Sequence, residues 1–289
     1  MQSPDHVAPQ KKKKKRIGPI RIIALFFCIG VMLYSGINLG KYYYVSWKEK
    51  RLNSDLLADF VPQVTAPGPG PSATPSPDTS GDTDEPPNPN AYPPQNPETL
   101  AVLSKLAEEN SDFKGILYIP GTKLQVMVAQ ADDNDYYLHR SLKRVESKSG
   151  TPFIDFRCAT DPFGDNTIIY GHHMRDGSMF ARLMDYKKTE TVMDAPIVVF
   201  DTMEASFRYE IFAAYIDSSD GIAQDVLIPA FHDEAAFGEY IGHIREKTLI
   251  RPVVDVQYGD QLLTLSTCAY DFKDARMVVH ARLLRPREY

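Results

Sequence analysis

Residues 262–283 read LLTLSTCAYDFKDARMVVHARL, two apolar β-rich runs on either side of a short polar segment. This pattern is typical of two neighbouring strands joined by a loop. Cys268 ends the first run and Arg276 begins the second, so a hairpin brings the two residues side by side. A lone cysteine at a strand end is usually a packed apolar residue. A guanidinium beside it, however, favours the thiolate and can bind a carbonyl oxygen that is becoming negative, which indicates a cysteine nucleophile.

Short strand-like runs separated by turn residues continue upstream of this stretch, through residues 98–289. The runs lie at 115–119, 125–129, 150–155, 166–170, 196–201, 207–217, 261–266 and 276–284. Helical spacing of apolar residues occurs at 98–110 and 233–247, and residues 179–185 are typical of a shorter helix. Many short strands with a few peripheral helices predict a mostly β domain that forms a closed or nearly closed barrel of about eight strands.

His172 and His173 directly follow the strand-like run at 166–170. Because neighbouring residues of an extended chain point to opposite faces, we expect only one of them to reach the cysteine. An imidazole there supplies the proton transfer that thiol acyl transfer needs. A metal site completed by Asp165 and Asp176 is an alternative, although the spacings typical of zinc sites are absent from the chain. We predict no cofactor and no metal.

Residues 22–39 form an 18-residue stretch without charge, preceded by the basic block at 11–16. At ~1.5 Å per residue the stretch reaches ~27 Å, close to the thickness of a bilayer core. The positive-inside rule then predicts a cytoplasmic tail at 1–21, a transmembrane signal anchor and an extracellular domain. A cleaved signal peptide is the competing interpretation, but the stretch is long for one and no A-x-A-like site follows it.

The rest of the chain divides by composition. Residues 40–61 form a juxtamembrane segment, residues 62–97 are dominated by Pro, Gly, Ser, Thr, Asp and Asn, and residues 98–289 form one domain. The middle segment buries too little apolar area to fold, so we predict a disordered tether that lifts the domain away from the lipid. The net charge is −6 overall, with +8 in the first 50 residues and hence −14 in the remainder, which argues against a nucleic-acid partner.

Three cysteines, Cys28, Cys158 and Cys268, are too few for a disulfide framework. A bond between Cys158 and Cys268 is conceivable, but it would remove the proposed nucleophile. We therefore predict two free thiols, with Cys158 as a small buried apolar residue. His280 lies within the strand-like run at 276–284 and is predicted to be structural.

The cysteine stretch resembles the signature of the sortases, the cysteine transpeptidases of Gram-positive cell surfaces. NTIIYGHHMRDGSMF, residues 166–180, is similar to the histidine segment of that family, and GILYIPGTKLQVMVAQADDNDYYLHR, residues 115–140, resembles the start of class B members. The likeness covers residues 98–289, and the helix at 233–247 fits the extra helix of class B. The segment LHRSLKRVESKSGTPF, residues 138–153, departs from the family by being more basic, where an Asn-His pair is common.

The resemblance implies a catalytic Cys268, a family histidine at His172 and a family arginine at Arg276. It implies substrate-binding roles for Ser266, Thr267, Asn134 and Leu138. The implied reaction is cleavage of an NPxTG-like or NPQTN-like C-terminal sorting motif of secreted proteins through a thioester, with transfer to a peptidoglycan amine. The alternatives are a pilin-polymerising sortase, a surface cysteine peptidase with water as acceptor, and an anchored binding module without catalysis.

Overall fold

The computed structural model describes residues 19–60, 92–160, 163–218, 226–268 and 273–289. Two compact units are distinguished, Met1–Lys48 and Glu49–Tyr289. Helix α1, Pro19–Leu56, begins in the first unit, and its Leu25–Val45 portion is long and apolar enough to cross a membrane. Most of the predicted cytoplasmic tail and most of the predicted tether lie outside the described residues.

The second unit contains a closed eight-stranded barrel in the order β1-β2-β3-β4-β7-β8-β6-β5. The strands are β1 Phe113–Tyr118, β2 Gln125–Ala129, β3 Phe153–Ile154, β4 Asn166–Tyr170, β5 Ile197–Asp201, β6 Ser206–Ser218, β7 Leu262–Cys268 and β8 Ala275–Leu283. The β2/β3 and β4/β7 pairs are parallel, and the other neighbours are antiparallel. The predicted mostly β barrel is confirmed.

In the described parts of the chain, three further α-helices and three 3-10 helices surround the barrel. They are α2 Pro97–Glu109, α3 Thr189–Asp194, α4 Glu234–Lys247, and the 3-10 helices Tyr136–Leu138, Phe180–Lys187 and Pro286–Glu288. α2 begins where the Asn96 side chain accepts a hydrogen bond from the backbone N–H of Thr99 at 2.7 Å. α4 begins in the same way, with Asp233 accepting from Ala236 at 2.8 Å. Such caps satisfy amide groups that have no partner within the helix.

Among the residues that the structure describes, the buried apolar side chains form three clusters, and two of them include a helix. The first fills the barrel, with Leu265 and Val279 fully buried in it. The second includes the buried face of α2, and the third includes that of α4. The buried residues of the two helices are Thr99, Val102, Leu103 and Leu106 in α2 and Phe237, Tyr240, Ile241 and Ile244 in α4. Each helix thus buries one apolar stripe against the outside of the barrel.

The strand predicted at 150–155 is much shorter in the structure, where β3 comprises only Phe153–Ile154. The preceding backbone pairs with a 3-10 helix instead, because Thr151 N–H donates to the Tyr137 carbonyl at 2.9 Å. Gly150 makes this approach possible at a φ of +58°, and a Cβ there would lie 2.6 Å from the Leu138 carbonyl oxygen. The helix expected at 179–185 is a 3-10 helix, Phe180–Lys187, and α3 follows it without a counterpart in the sequence prediction.

His280 lies in a buried polar network between the barrel and α4. Its Nδ1 is 3.0 Å from Thr264 Oγ1, and its Nε2 is 3.2 Å from the Tyr215 hydroxyl. Thr264 donates its own proton to Asn166 Oδ1 at 2.8 Å, so it accepts from Nδ1–H of His280. In the neutral ring, Nδ1–H donates to Thr264 and Nε2 accepts from the Tyr215 hydroxyl, so both nitrogens have hydrogen-bond partners. Complete burial lowers the pKa of His280 to about 3.

We predict that His280 makes the fold sensitive to acid. Between pH 6.5 and pH 3 the unfolded chain binds a proton at this position and the folded chain does not, so stability falls as the pH falls. The slope is about 1.4 kcal/mol per pH unit, or about 3 kcal/mol between pH 6.5 and pH 4. Urea unfolding of the full chain and of a His280→Asn variant over this range should show a flatter curve for the variant. Parallel curves would contradict the prediction.

Candidate active site

The end of β4 brings His172 close to β7. β4 and β7 run parallel with Tyr170 opposite Ser266, and Gly171 N–H continues the contact by donating to the Ser266 carbonyl at 3.1 Å. A Cβ on Gly171 would lie 2.7 Å from the Phe180 ring, so any larger residue here would require that ring to move. His172 thus stands immediately beyond the strand end, with its carbonyl accepting from Phe180 N–H at 2.9 Å.

The imidazole of His172 is oriented by a backbone carbonyl. Its Nε2 lies 2.8 Å from the carbonyl oxygen of Leu138, which belongs to the 3-10 helix Tyr136–Leu138. A carbonyl oxygen only accepts hydrogen bonds, so Nε2 carries the hydrogen. The other ring nitrogen, Nδ1, is then the one that can accept or release a proton. The ring is half-buried, and the ring of His139 lies 6.4 Å away between centroids.

The ends of β7 and β8 bring Cys268 and Arg276 together in the backbone register. The two residues are directly opposite each other in the antiparallel β7/β8 pair. Tyr170 is paired with Ser266 in the parallel strands, and His172 and Cys268 each come two positions later. The three catalytic candidates, Cys268, His172 and Arg276, therefore lie at the same end of the barrel. The side chain of Cys268 is not among the described parts of the structure, and that of Arg276 is half-buried.

Arg276 also faces an acidic neighbour across the sheet. It is opposite Asp217 in the β6/β8 pair, and the Asp217 carboxylate forms an ion pair with Lys247 of α4. Burial raises the pKa of Asp217, but the hydrogen bonds from Lys247 and from Ser218 N–H outweigh it and hold the pKa below its usual value. Asp217 is therefore an anion beside Arg276 whose charge is already shared with Lys247.

The four predicted substrate-binding residues occupy different settings. Ser266 is buried on β7 below Cys268, and Thr267 is 1% exposed, with a hydroxyl that has no hydrogen-bond partner among the described residues. Asn134 precedes the 3-10 helix that carries Leu138, and its Oδ1 accepts from Phe156 N–H at 3.1 Å. Leu138 contacts His172 directly. Leu138 and Ser266 therefore lie at the histidine end of β4, whereas Asn134 lies beside Phe156, which follows β3. Alternation along β7 directs Thr267 to the face opposite Ser266.

A charged cluster beside these residues was not foreseen from the sequence. Asp155 is fully buried and receives hydrogen bonds from Arg157 Nε at 2.9 Å, Arg157 Nη2 at 2.8 Å and the Tyr170 hydroxyl at 2.7 Å. Burial raises the pKa of Asp155, but these donors outweigh it and keep the carboxyl ionised. Arg157 also donates to the Leu227 carbonyl at 3.1 Å, so the cluster joins β3, β4 and the segment before α4. The Asp-x-Arg pattern directly after a strand is the local signal for it.

Cys158 is free, buried and unsuited to act as a nucleophile. Its sulfur lies 3.4 Å from the Asn166 carbonyl oxygen and 3.4 Å from the Ile168 nitrogen, on the inner part of β4. Burial raises the pKa of this thiol to about 11, so it is protonated near neutral pH. The prediction that it is a buried free thiol is confirmed.

The residues named for the metal alternative are engaged elsewhere. Asp165 accepts from Phe231 N–H at 2.8 Å, and Asp176 accepts from Ser178 N–H at 3.0 Å and from its hydroxyl at 2.6 Å. Within the described parts of the chain, no three His, Cys, Asp or Glu side chains are grouped so as to hold a metal ion.

Comparison with known proteins identifies the family of this domain. Residues 117–284 match the model of the sortase domain. Sortase B of Listeria monocytogenes is 33% identical over 191 residues, which cover 65% of this chain and 76% of that protein. The structure of a Staphylococcus aureus sortase B–substrate complex matches with a TM-score of 0.60 and 29% identity, over 64% of this chain and 85% of that chain. Clostridium perfringens sortase B matches with a TM-score of 0.60 and 28% identity, over 63% and 98% respectively. The chain therefore belongs to the sortase family of cysteine transpeptidases, and in sequence and fold it is like the class B members.

Proposed function

We propose that this protein is a membrane-anchored class B sortase that attaches secreted proteins to peptidoglycan. Its substrates would carry a C-terminal sorting motif of the NPxTG or NPQTN type. The observation that carries the proposal is the backbone register at one end of the barrel, where Cys268 is opposite Arg276 and one strand away from His172. A nucleophile, an oxyanion donor and a proton carrier are the groups that acyl transfer through a thioester requires.

In the first half of the reaction, the Cys268 thiolate attacks the carbonyl carbon of the scissile peptide bond. Residues opposite each other in an antiparallel pair share a face of the sheet, so the Arg276 guanidinium is expected beside the developing oxyanion. Its planar set of donors stabilises the negative oxygen of the tetrahedral intermediate. The carbon–nitrogen bond then breaks, and the acyl group remains on sulfur as a thioester.

The leaving amine needs a proton, and His172 is proposed to supply it from Nδ1. Because Nε2–H is directed at the Leu138 carbonyl, rotation of the ring would break a hydrogen bond of 2.8 Å. The imidazolium form holds a proton on both nitrogens, so Nδ1–H can be released without disturbing that hydrogen bond. The result is a neutral imidazole whose Nδ1 lone pair is ready for the second half of the reaction.

In the second half, an amine of a peptidoglycan precursor attacks the thioester carbonyl. The neutral Nδ1 of His172 takes the proton that this amine loses, and Arg276 again stabilises the oxyanion. Collapse of the intermediate breaks the carbon–sulfur bond and restores the thiolate. The product is a surface protein joined to the cell wall through a new amide bond, and the enzyme returns to its starting protonation state.

The N-terminal helix supports a location at the cell membrane. Leu25–Val45 has the length and composition of a membrane span, and the basic block at 11–16 precedes it in the sequence. By the positive-inside rule, the N-terminus lies in the cytoplasm and the barrel lies outside the cell, where sorting-motif substrates and peptidoglycan precursors meet.

The test is product analysis with the purified full chain and a panel of sorting-motif peptides. NPQTN-type and NPxTG-type peptides, a scrambled peptide and a motif of another class would each be incubated with and without triglycine. We expect cleavage of one NP-type motif and, with triglycine, a ligated product that replaces the hydrolysed one. Hydrolysis unchanged by the amine would instead identify a peptidase, and cleavage of none of the NP-type motifs would overturn the proposed substrate class.

A further inference from the structure

The residues at the end of α1 pack against the barrel unit. Leu56 and Leu57 lie against the second apolar cluster, and Phe60 is buried within it at 5% exposure. The Phe60 ring meets the Tyr118 ring edge-on, with 5.6 Å between centroids. Glu49–Tyr289 forms one compact unit, so this segment belongs to the domain that carries the active site.

A polar contact beside Phe60 fixes the same segment to α2. The Asp59 carboxylate lies 3.3 Å from the amine of Lys105. Both side chains are mostly exposed, so this pair adds little to the free energy of packing. The contact is nevertheless a marker of docking, because Asp59 and Lys105 come within 3.3 Å of each other only when the segment packs against the domain.

The far end of the intervening chain is also attached to the barrel. Tyr92 packs edge-on against Phe207, with 5.3 Å between ring centroids, and against Tyr289 at 5.6 Å. Gln95 then donates to Asp201 at 3.1 Å and to the Ala205 carbonyl at 2.9 Å. The described chain therefore packs against the barrel on both sides of residues 61–91, at Phe60 and at Tyr92.

We propose that residues 53–60 are a docking segment that joins the end of α1 to the catalytic domain without the help of residues 61–91. As a simple Pro-rich tether, those 31 residues would allow a separation of about 100 Å at ~3.1 Å per residue. Because Phe60 packs against Tyr118, residues 53–60 stay next to the domain however far residues 61–91 could extend. The connection is non-covalent and survives a cut within 61–91. This inference rests on packing alone and is independent of the sorting reaction.

The experiment cuts the chain between the two attachment points. Residues 71–77 of the full chain would be replaced by a seven-residue site for a specific protease. A carbodiimide, which joins a carboxylate directly to an amine in contact with it, would be applied after the cut. We expect the two fragments to migrate as one band under denaturing conditions, with mass spectrometry locating the new bond between Asp59 and Lys105. Asp59→Asn and Lys105→Arg should each abolish that bond, since neither product reacts.

A second variant tests whether Phe60 is responsible for the docking. Phe60→Asp should reduce the Asp59–Lys105 product at least tenfold, whereas Val253→Asp, the same type of change at a fully exposed position, should leave it unchanged. Far-UV circular dichroism of the Phe60→Asp protein checks that the barrel remains folded. If Phe60→Asp unfolds the barrel, Phe60→Leu, which keeps an apolar side chain at this position, should still give the product. Absence of the bond in the parent chain, or its persistence in folded Phe60→Asp, would overturn the proposal.

Discussion

A Cys268→Ala variant should form no thioester and show no measurable cleavage of any sorting-motif peptide, whereas Cys158→Ala should retain activity. Only the thiolate form of a cysteine attacks a carbonyl carbon, and burial holds the Cys158 thiol protonated with its pKa raised to about 11. Cys268 is opposite Arg276 in the strand register, and a guanidinium close to a thiol favours the thiolate. The measurement is initial rate together with intact mass after incubation with substrate.

The Cys158 variant is the matched control for this comparison. It removes a sulfur from the same domain, so a general effect of losing a thiol would appear in both proteins. Deletion of a small buried group lowers stability by about 1 kcal/mol, which leaves the protein folded at room temperature. An acyl-enzyme mass on Cys158, or activity remaining in Cys268→Ala, would assign the nucleophile elsewhere.

An Arg276→Lys variant should bind substrate peptides normally but turn them over about 10²–10³-fold more slowly, as for a lost oxyanion-hole donor. Lysine keeps the positive charge but presents a point charge in place of the planar fork of donors. The interaction is made in the transition state, so kcat should fall while the KM changes little. Steady-state kinetics over a range of peptide concentrations measures both.

Arg287→Lys is the control, because Arg287 is an exposed arginine near the C-terminus, away from the proposed site. Its kinetics should match those of the parent chain. A thermal melt of Arg276→Lys separates a catalytic defect from a folding defect, since Arg276 is half-buried between two strands. Unchanged turnover in a folded Arg276→Lys protein would remove this residue from the mechanism.

Much of the barrel was predictable because most strands carry their own local pattern. Residues 166–170 and 262–268 are apolar runs that end in polar or glycine residues, and both form strands close to the predicted limits. The length of β3 was overestimated because the sequence from Gly150 to Asp155 fits a strand as well as it fits the irregular backbone that is observed. The long-range hydrogen bond from Thr151 to Tyr137 decides otherwise, and no local pattern encodes it.

The parts of the candidate site that are formed by side chains were predictable from the sequence. Cys268, His172 and Arg276 are recognisable by residue type and neighbours, and the backbone brings them to one end of the barrel. The contact between His172 and Leu138 was not predictable, because a carbonyl oxygen is present at every residue and leaves no trace in the sequence. The Asp155–Arg157 pair did carry a local signal, but its link to Tyr170 depends on how β3 pairs with β4.

The parallel pairing of β4 with β7 has a consequence for the newly made chain. Paired residues in these strands are separated by roughly a hundred positions, and β5, β6 and α4 lie between them in the sequence. Closing so large a loop is slow, and β7 gains its second neighbour only when β8 has been synthesised. The end of the barrel that carries His172, Cys268 and Arg276 is therefore among the final parts of the domain to form. Under the proposed mechanism, a nascent polypeptide that ends before β8 lacks both Arg276 and the strand that pairs with Cys268.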